Sequence, residues 1–103
     1  MNRSDAITLV ATTVETDAIG NQTDTETGRV TVYGDVYSVS REENDAAGSH
    51  GYSEVQKLVV YPWDYTGEKY VIVGGKKKVV YRTYQAAPDT LELYAASRKG
   101  VKL

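Results

Sequence analysis

The chain carries a single histidine, His50, in the run Gly48-Ser49-His50-Gly51. A nucleophilic triad needs such an imidazole oriented by a carboxylate and facing a serine on a rigid elbow. No G-x-S-x-G occurs in the sequence, and a glycine-flanked loop is a poor place for that geometry. His50 therefore reads as a solvent-exposed loop residue. One histidine and no cysteine leave only oxygen ligands for a metal. Asp17, Asp24 and Glu26 miss the D-x-[DN]-x-[DN]-G spacing of a calcium loop, so they read as solvated carboxylates. Gly74-Gly75-Lys76 lacks the G-x-x-x-x-G-K-[ST] spacing of a phosphate loop, and a hairpin explains its glycines. The run Lys76-Lys77-Lys78 could contact phosphates. It reads instead as the charged lip of that hairpin, which discourages edge-to-edge pairing. Glu42, Glu43 and Asp45 form an acidic cluster that alone is only a soluble loop. The expectation is a non-enzyme with no catalytic residue, no metal and no cofactor.

Composition sets the frame around these residues. With 103 residues, 41% hydrophobic and 25% charged, the chain reads as one small domain, 1–103. A domain of this size buries roughly 60–70% of the surface its unfolded chain exposes, so its core is modest. The lack of cysteine removes disulfides and zinc–thiolate sites as compensation. No apolar run approaches the ~18–20 residues of a membrane helix, and Met1 to Asp5 lacks the basic head and apolar stretch of a secretory signal. A net charge of −2 argues against a generic nucleic-acid binder, which is usually basic. Nine tyrosines, one tryptophan and no phenylalanine favour strands and half-buried or partner-covered surfaces.

The elements that must position these groups read as strands. Ala6 to Val14 alternates, with Ile7, Leu9 and Ala11 on one face and Thr8, Val10 and Thr12 on the other. Glu15 to Gly28 is polar and reads as a turn or long hairpin loop around Gly20-Asn21. Arg29 to Val39 resumes the alternation, and Gly34 within it suggests a bulge or a bend at a barrel corner. Ser40-Arg41-Glu42-Glu43 has the spacing of a capping box, but Gly48 and Gly51 limit any helix to about two turns. Almost devoid of large apolar residues, Ser40 to Ser53 is expected to be an exposed excursion outside the core. Glu54 to Tyr61, Tyr70 to Val73, Lys78 to Tyr84 and Leu91 to Ala95 complete the strands. Pro62 is expected to end the third strand or lie at an edge, and turns are expected at Tyr65 to Glu68, at Gly74-Gly75 and at Ala86 to Thr90 around Pro88-Asp89. About six strands with one long polar excursion between the second and third predict an all-β fold, a small antiparallel β-barrel or sandwich with the barrel preferred. Residues 1–5 and the basic tail 97–103 are expected to be loose.

Several segments, taken in order, resemble the small head closure (head–tail connector) proteins of long-tailed bacteriophages. They are Ile7-Thr8-Leu9-Val10, Ile19-Gly20-Asn21, and Val32-Tyr33-Gly34-Asp35-Val36-Tyr37-Ser38-Val39-Ser40-Arg41. Asp64-Tyr65-Thr66-Gly67-Glu68-Lys69, Val80-Tyr81-Arg82-Thr83-Tyr84 and Leu91-Glu92-Leu93-Tyr94 follow, so the likeness spans about residues 6–95. The resemblance implies a β-barrel that assembles as a ring of about twelve copies, a dodecamer, in stopper or adaptor position beneath the portal. Such a ring completes the head, helps retain packaged DNA and provides the tail docking surface. Its implied partners are the portal or adaptor ring above, tail proteins below, further copies of itself, and genomic DNA passing without sequence-specific binding. No membrane is implied. The implied location is the virion, at the head–tail interface, after synthesis in the bacterial cytoplasm. By the same implication Arg41, Glu42, Glu43, Asp45 and His50 would form a channel or gating loop, and Tyr33, Tyr37, Trp63 and Tyr65 an assembly surface. Two departures stand out: Glu43-Asn44-Asp45 falls where family members often carry aromatic residues, and the lysine triplet after Gly75 is peculiar to this chain. A second reading comes from a different class. An OB-like barrel could bind single-stranded nucleic acid on Tyr70, Tyr81 and Tyr84, rimmed by Lys76 to Lys78.

Overall fold

The computed structural model describes residues 5–98. Along the chain come β1 (Asp5–Thr16), β2 (Gln22–Ser38), α1 (Arg41–Ser49), β3 (Tyr52–Val60), β4 (Tyr70–Val73), β5 (Lys76–Ala87) and β6 (Thr90–Arg98). A 3-10 turn, Pro62–Asp64, follows β3. All strand pairs are antiparallel, and the strands close into a barrel in the order β1-β2-β3-β6-β5-β4. The expected all-β class, strand number and position of the excursion are all present. No helix among the described residues is long and apolar enough to cross a membrane.

Period-two alternation builds the interior. Ile7, Leu9, Val32, Leu58, Val60, Val71, Leu93 and Ala95 meet in one cluster, with Val36, Tyr65 and Val80 packed against it. Burying these side chains is the main favourable term, worth about 1.5–3 kcal/mol for each large aliphatic group. Gly74 (φ 59) and Gly75 (φ 79) form the two-residue turn between Val73 and its partner Lys76. Positive φ at both central positions is what such a tight hairpin demands, and glycine supplies it without a Cβ clash.

Gly34 marks a handover rather than a bulge. Up to Gly34, β2 pairs with β1; from Asp35 onward it pairs with β3. At the crossing point a Cβ on Gly34 would collide with the Val59 carbonyl oxygen and press on Ile7 and Val60. Only glycine lets the two backbones approach this closely.

The segment 15–28 departs from the expected loop. β1 continues to Thr16 and pairs with a β2 that starts at Gln22, so the polar stretch is mostly strand. The turn itself is short. Asp17 Oδ1 accepts the backbone N–H groups of Ile19 (3.0 Å) and Asn21 (2.9 Å), and Gly20 takes φ 88. β-Branched threonines on both strands favour extended backbone even without a core to cover. The result is a two-stranded arm leaving the barrel, consistent with overall dimensions of 48 × 30 × 24 Å. Between Ala11 and Thr12 the register shifts, which leaves Thr27 as an extra residue on β2.

The excursion forms the short helix that its capping box allows, but it docks on the barrel instead of standing free. Ser40 caps α1 by accepting the Glu43 N–H at 3.2 Å. Ala47, 3% exposed, packs with Val55 and Ala96, and Val39, Tyr52 and Tyr81 surround them. A small side chain suffices because α1 lies on the outside of the barrel wall, close to β3. At the chain ends, Asp5 and the pair Ser97 and Arg98 belong to β1 and β6, so they are not loose. The remainder of those two expectations, 1–4 and 99–103, lies outside the described residues.

Gly34→Ala is expected to destabilise the fold by about 1–3 kcal/mol, the range for forcing atoms into a packed site. Urea unfolding of the two proteins measures it. A midpoint unchanged by the substitution would mean that the β2–β3 crossing is looser than described.

Candidate functional site

Three groups of polar and aromatic side chains stand out on this frame. The first is α1 with its acids. Glu43, instead of reaching back to complete the capping box, turns to β5: its carboxylate accepts from Arg82 Nη2 and, at 3.1 Å, from the Tyr81 hydroxyl. Glu42 and Asp45 remain exposed, and Arg41 approaches Asp45 at 4.0 Å. His50 caps the C-terminus of α1 and is exposed. The acidic cluster therefore splits. Glu43 anchors the helix, while Glu42 and Asp45 face solvent.

The second group is the set of aromatic residues. Tyr33 and Trp63 are 58% and 66% exposed, and Trp63 stacks on Tyr61 with ring centroids 4.9 Å apart. Tyr37 is less exposed and lies under Lys57 Nζ. Tyr65 does not share this surface. Its ring packs against the core, its hydroxyl donates to the Glu68 carbonyl at 2.6 Å, and burial raises its pKa above 10.0. It secures the turn before β4. The proposed stacking residues are engaged as well. Tyr81 stacks on Tyr52 at 4.8 Å, and Tyr70 donates to Asp24 at 3.1 Å with Lys69 and Lys77 over its ring. Of the three, only Tyr84 is largely open.

The third group is the lysine run, and here the expectation of a solvated lip is corrected. Lys78 is 4% exposed. It shares its strand face with Val80, so its stem runs inward at one end of the barrel. Its ammonium donates to the Glu54 carbonyl at 2.7 Å and to Gln56 Oε1 at 2.6 Å. Burial is the first cause holding its pKa below 10.5; Glu54 opposes that shift and Lys76 adds to it. Lys76 bonds the Glu54 carboxylate at 2.6 Å, which lowers that carboxyl below its usual range. Glu54 sits at the β3 bulge with φ 53, a left-handed backbone that costs about 1–2 kcal/mol for a residue with a Cβ. Two lysines thus hold one bulge. Together with Val73 and Gly74 they line a shallow cleft of about 430 Å³.

The base of the arm is tied down separately. Asp24 accepts from Lys69 Nζ at 2.6 Å and from the Tyr70 hydroxyl. Sequence reading treated Asp24 as solvated and missed this clasp, since 45 residues separate Asp24 from Lys69. No cluster of three or more His, Cys, Asp or Glu able to hold a metal occurs among the described residues.

No protein-family model and no curated protein matches the chain. Its fold is similar to the solution structure of protein SF1141 from Shigella flexneri 2a, with a TM-score of 0.69 and 21% identity over 100% of both chains. At that identity the likeness concerns the fold alone.

Two measurements probe these contacts. Lys78→Met keeps the stem but leaves Gln56 and the Glu54 carbonyl without their donor, so a loss of about 1–3 kcal/mol in urea unfolding is expected. A loss under about 0.5 kcal/mol would give Lys78 no more weight than an ordinary surface residue. The Asp24 clasp has a pH signature. Lys69 first, then Tyr70, hold its carboxyl below 3.8, so its contribution is complete above pH 3.8 and disappears as pH falls through the depressed value. Protection of the amides 22–28 relative to their intrinsic exchange rates should fall below that window, and Asp24→Asn should lower it at neutral pH. Equal rates in both proteins at neutral pH would show that the clasp does not restrain the arm.

Proposed function

We propose that this protein is a structural component of a phage neck, a head closure protein that forms a ring beneath the portal. In this role it helps retain packaged DNA and offers a docking surface to the tail. The observation that carries the reading is the combination of a filled barrel with a two-stranded arm projecting from it. A closed ring of one repeated subunit needs a rigid body and an element that reaches a neighbour. The ordered sequence likeness over about residues 6–95 supports the same reading. So does the charge: Glu42 and Asp45 are exposed on α1, and the net charge is −2. A channel that DNA must slide through is served by groups that repel phosphate, whereas gripping DNA takes lysine and arginine. The partners of this proposal are the portal, tail proteins, further copies of the chain and passing DNA. Its location is the virion.

Imaging the protein mixed with a phage portal ring tests the proposal directly. An added collar of density beneath the portal is expected; a failure to co-sediment with that portal, together with normal particles when the gene is removed, would defeat it. The double substitution Glu42→Lys with Asp45→Lys leaves the Glu43 anchor intact. Its effect on monomer stability is expected to stay within about 0.5 kcal/mol. In assembled particles the same change should impair DNA retention or ejection. Particles of normal infectivity that contain the altered ring would remove the acidic lining from the proposal.

A further inference from the structure

The barrel is closed, but two of its strands run well beyond their neighbours. On the side away from β1, β2 pairs with β3 only through Asp35 to Ser38. The edge from Gln22 to Tyr33 has no strand partner among the described residues. On the side away from β6, β5 pairs with β4 only through Lys76 to Val79, and one further bond joins the Val80 N–H to the Lys69 carbonyl. The edge from Tyr81 to Ala87 has no strand partner among the described residues. A long unpaired edge is a template for a strand from another chain, and proteins that avoid such pairing place lysine or proline on it. Neither edge contains a lysine or a proline. The lysine triplet lies at the opposite end of β5, where β4 already covers it.

Position and charge indicate which chain supplies the strand. In the closed order, β2 and β5 stand three strands apart in either direction, on opposite sides of the barrel. The free β2 edge carries Asp24, Glu26 and Arg29, with Glu15 beside it on β1, whereas the free β5 edge carries Arg82 and no acid. Both edges also carry exposed apolar side chains, Val30 and Tyr33 on β2 and Tyr84 on β5. We infer that the free β2 edge of one copy pairs with the free β5 edge of a second copy of this chain, joining subunits head to tail. An interface between two different patches on opposite sides of a subunit propagates, and it closes into a ring when the rotation per step allows. This deepens the ring reading and rests on it for its biological setting. The pairing itself concerns only the isolated chain.

The absence of cysteine makes the test clean. Thr25→Cys on the arm and Thr83→Cys on β5 are made as two separate proteins, mixed, and treated with a short bis-maleimide. A severalfold excess of the mixed adduct over both homodimers is expected, and a chain carrying both substitutions should yield a ladder of dimers, trimers and higher species. High salt and the pair Glu15→Lys with Glu26→Lys should reduce the mixed adduct. A Thr25→Cys homodimer as the main product would mean arm-to-arm pairing and overturn the inference. Statistical proportions of the three adducts, or no adduct at high micromolar concentration, would overturn it equally. Portal binding that survives such a result would leave the ring reading standing with a different contact. Head-to-tail adducts from a protein that ignores the portal would do the reverse.

Discussion

The approach of β2 to β3 at Gly34 is the constraint on which the rest of the molecule depends. One wall strand must pass from pairing with β1 to pairing with β3, and it can do so only where a backbone carbonyl fits in the space of a missing side chain. That handover keeps Val32 in one interior cluster with Ile7 and Val60, with Val36 packed against it. It also fixes how much of β2 remains outside the barrel. A 17-residue strand that gives only its last few positions to β3 must project.

The two regions outside the main core are held by different means. α1 relies on one small buried residue and one charge-assisted link to β5, both on the outer face of the barrel. The mouth beside the β4–β5 turn relies on Lys78, whose apolar stem continues the interior while its ammonium satisfies backbone and amide oxygens at the rim. Neither arrangement needs a large hydrophobic contribution. That fits a chain whose modest core leaves little apolar surface for secondary contacts.

Most of the barrel is legible in the amino-acid order because period-two patterns and glycine pairs are local signals. β3, β4 and the Gly74-Gly75 turn follow from them directly. Two signals misled. The polar stretch after Glu15 looks like a loop because strand patterning is usually read from a buried face, and this hairpin has almost none. The lysine triplet looks uniformly solvated, yet Lys78 stands two residues from the core-packed Val80, and the alternation of a strand sends its stem inward. The Glu43 and Asp24 links join residues dozens of positions apart, and no local pattern in one sequence encodes them. The glutamate expected to sit in an open acidic cluster is therefore the one that secures the helix.

The single extra residue at Thr27 reverses the inside–outside phase of the arm. From Gly28 onward, even-numbered residues of β2 pair with Ala11, Leu9 and Ile7; before the bulge, even-numbered residues pair with Thr12 and Val14 instead. Asp24 therefore emerges on the same side as Val10, whose partner across the sheet is Tyr70. The bond between Asp24 and Tyr70 is thus a product of counting. With an even ladder the same carboxylate would face the other way, and no change in its chemistry could bring it to Lys69.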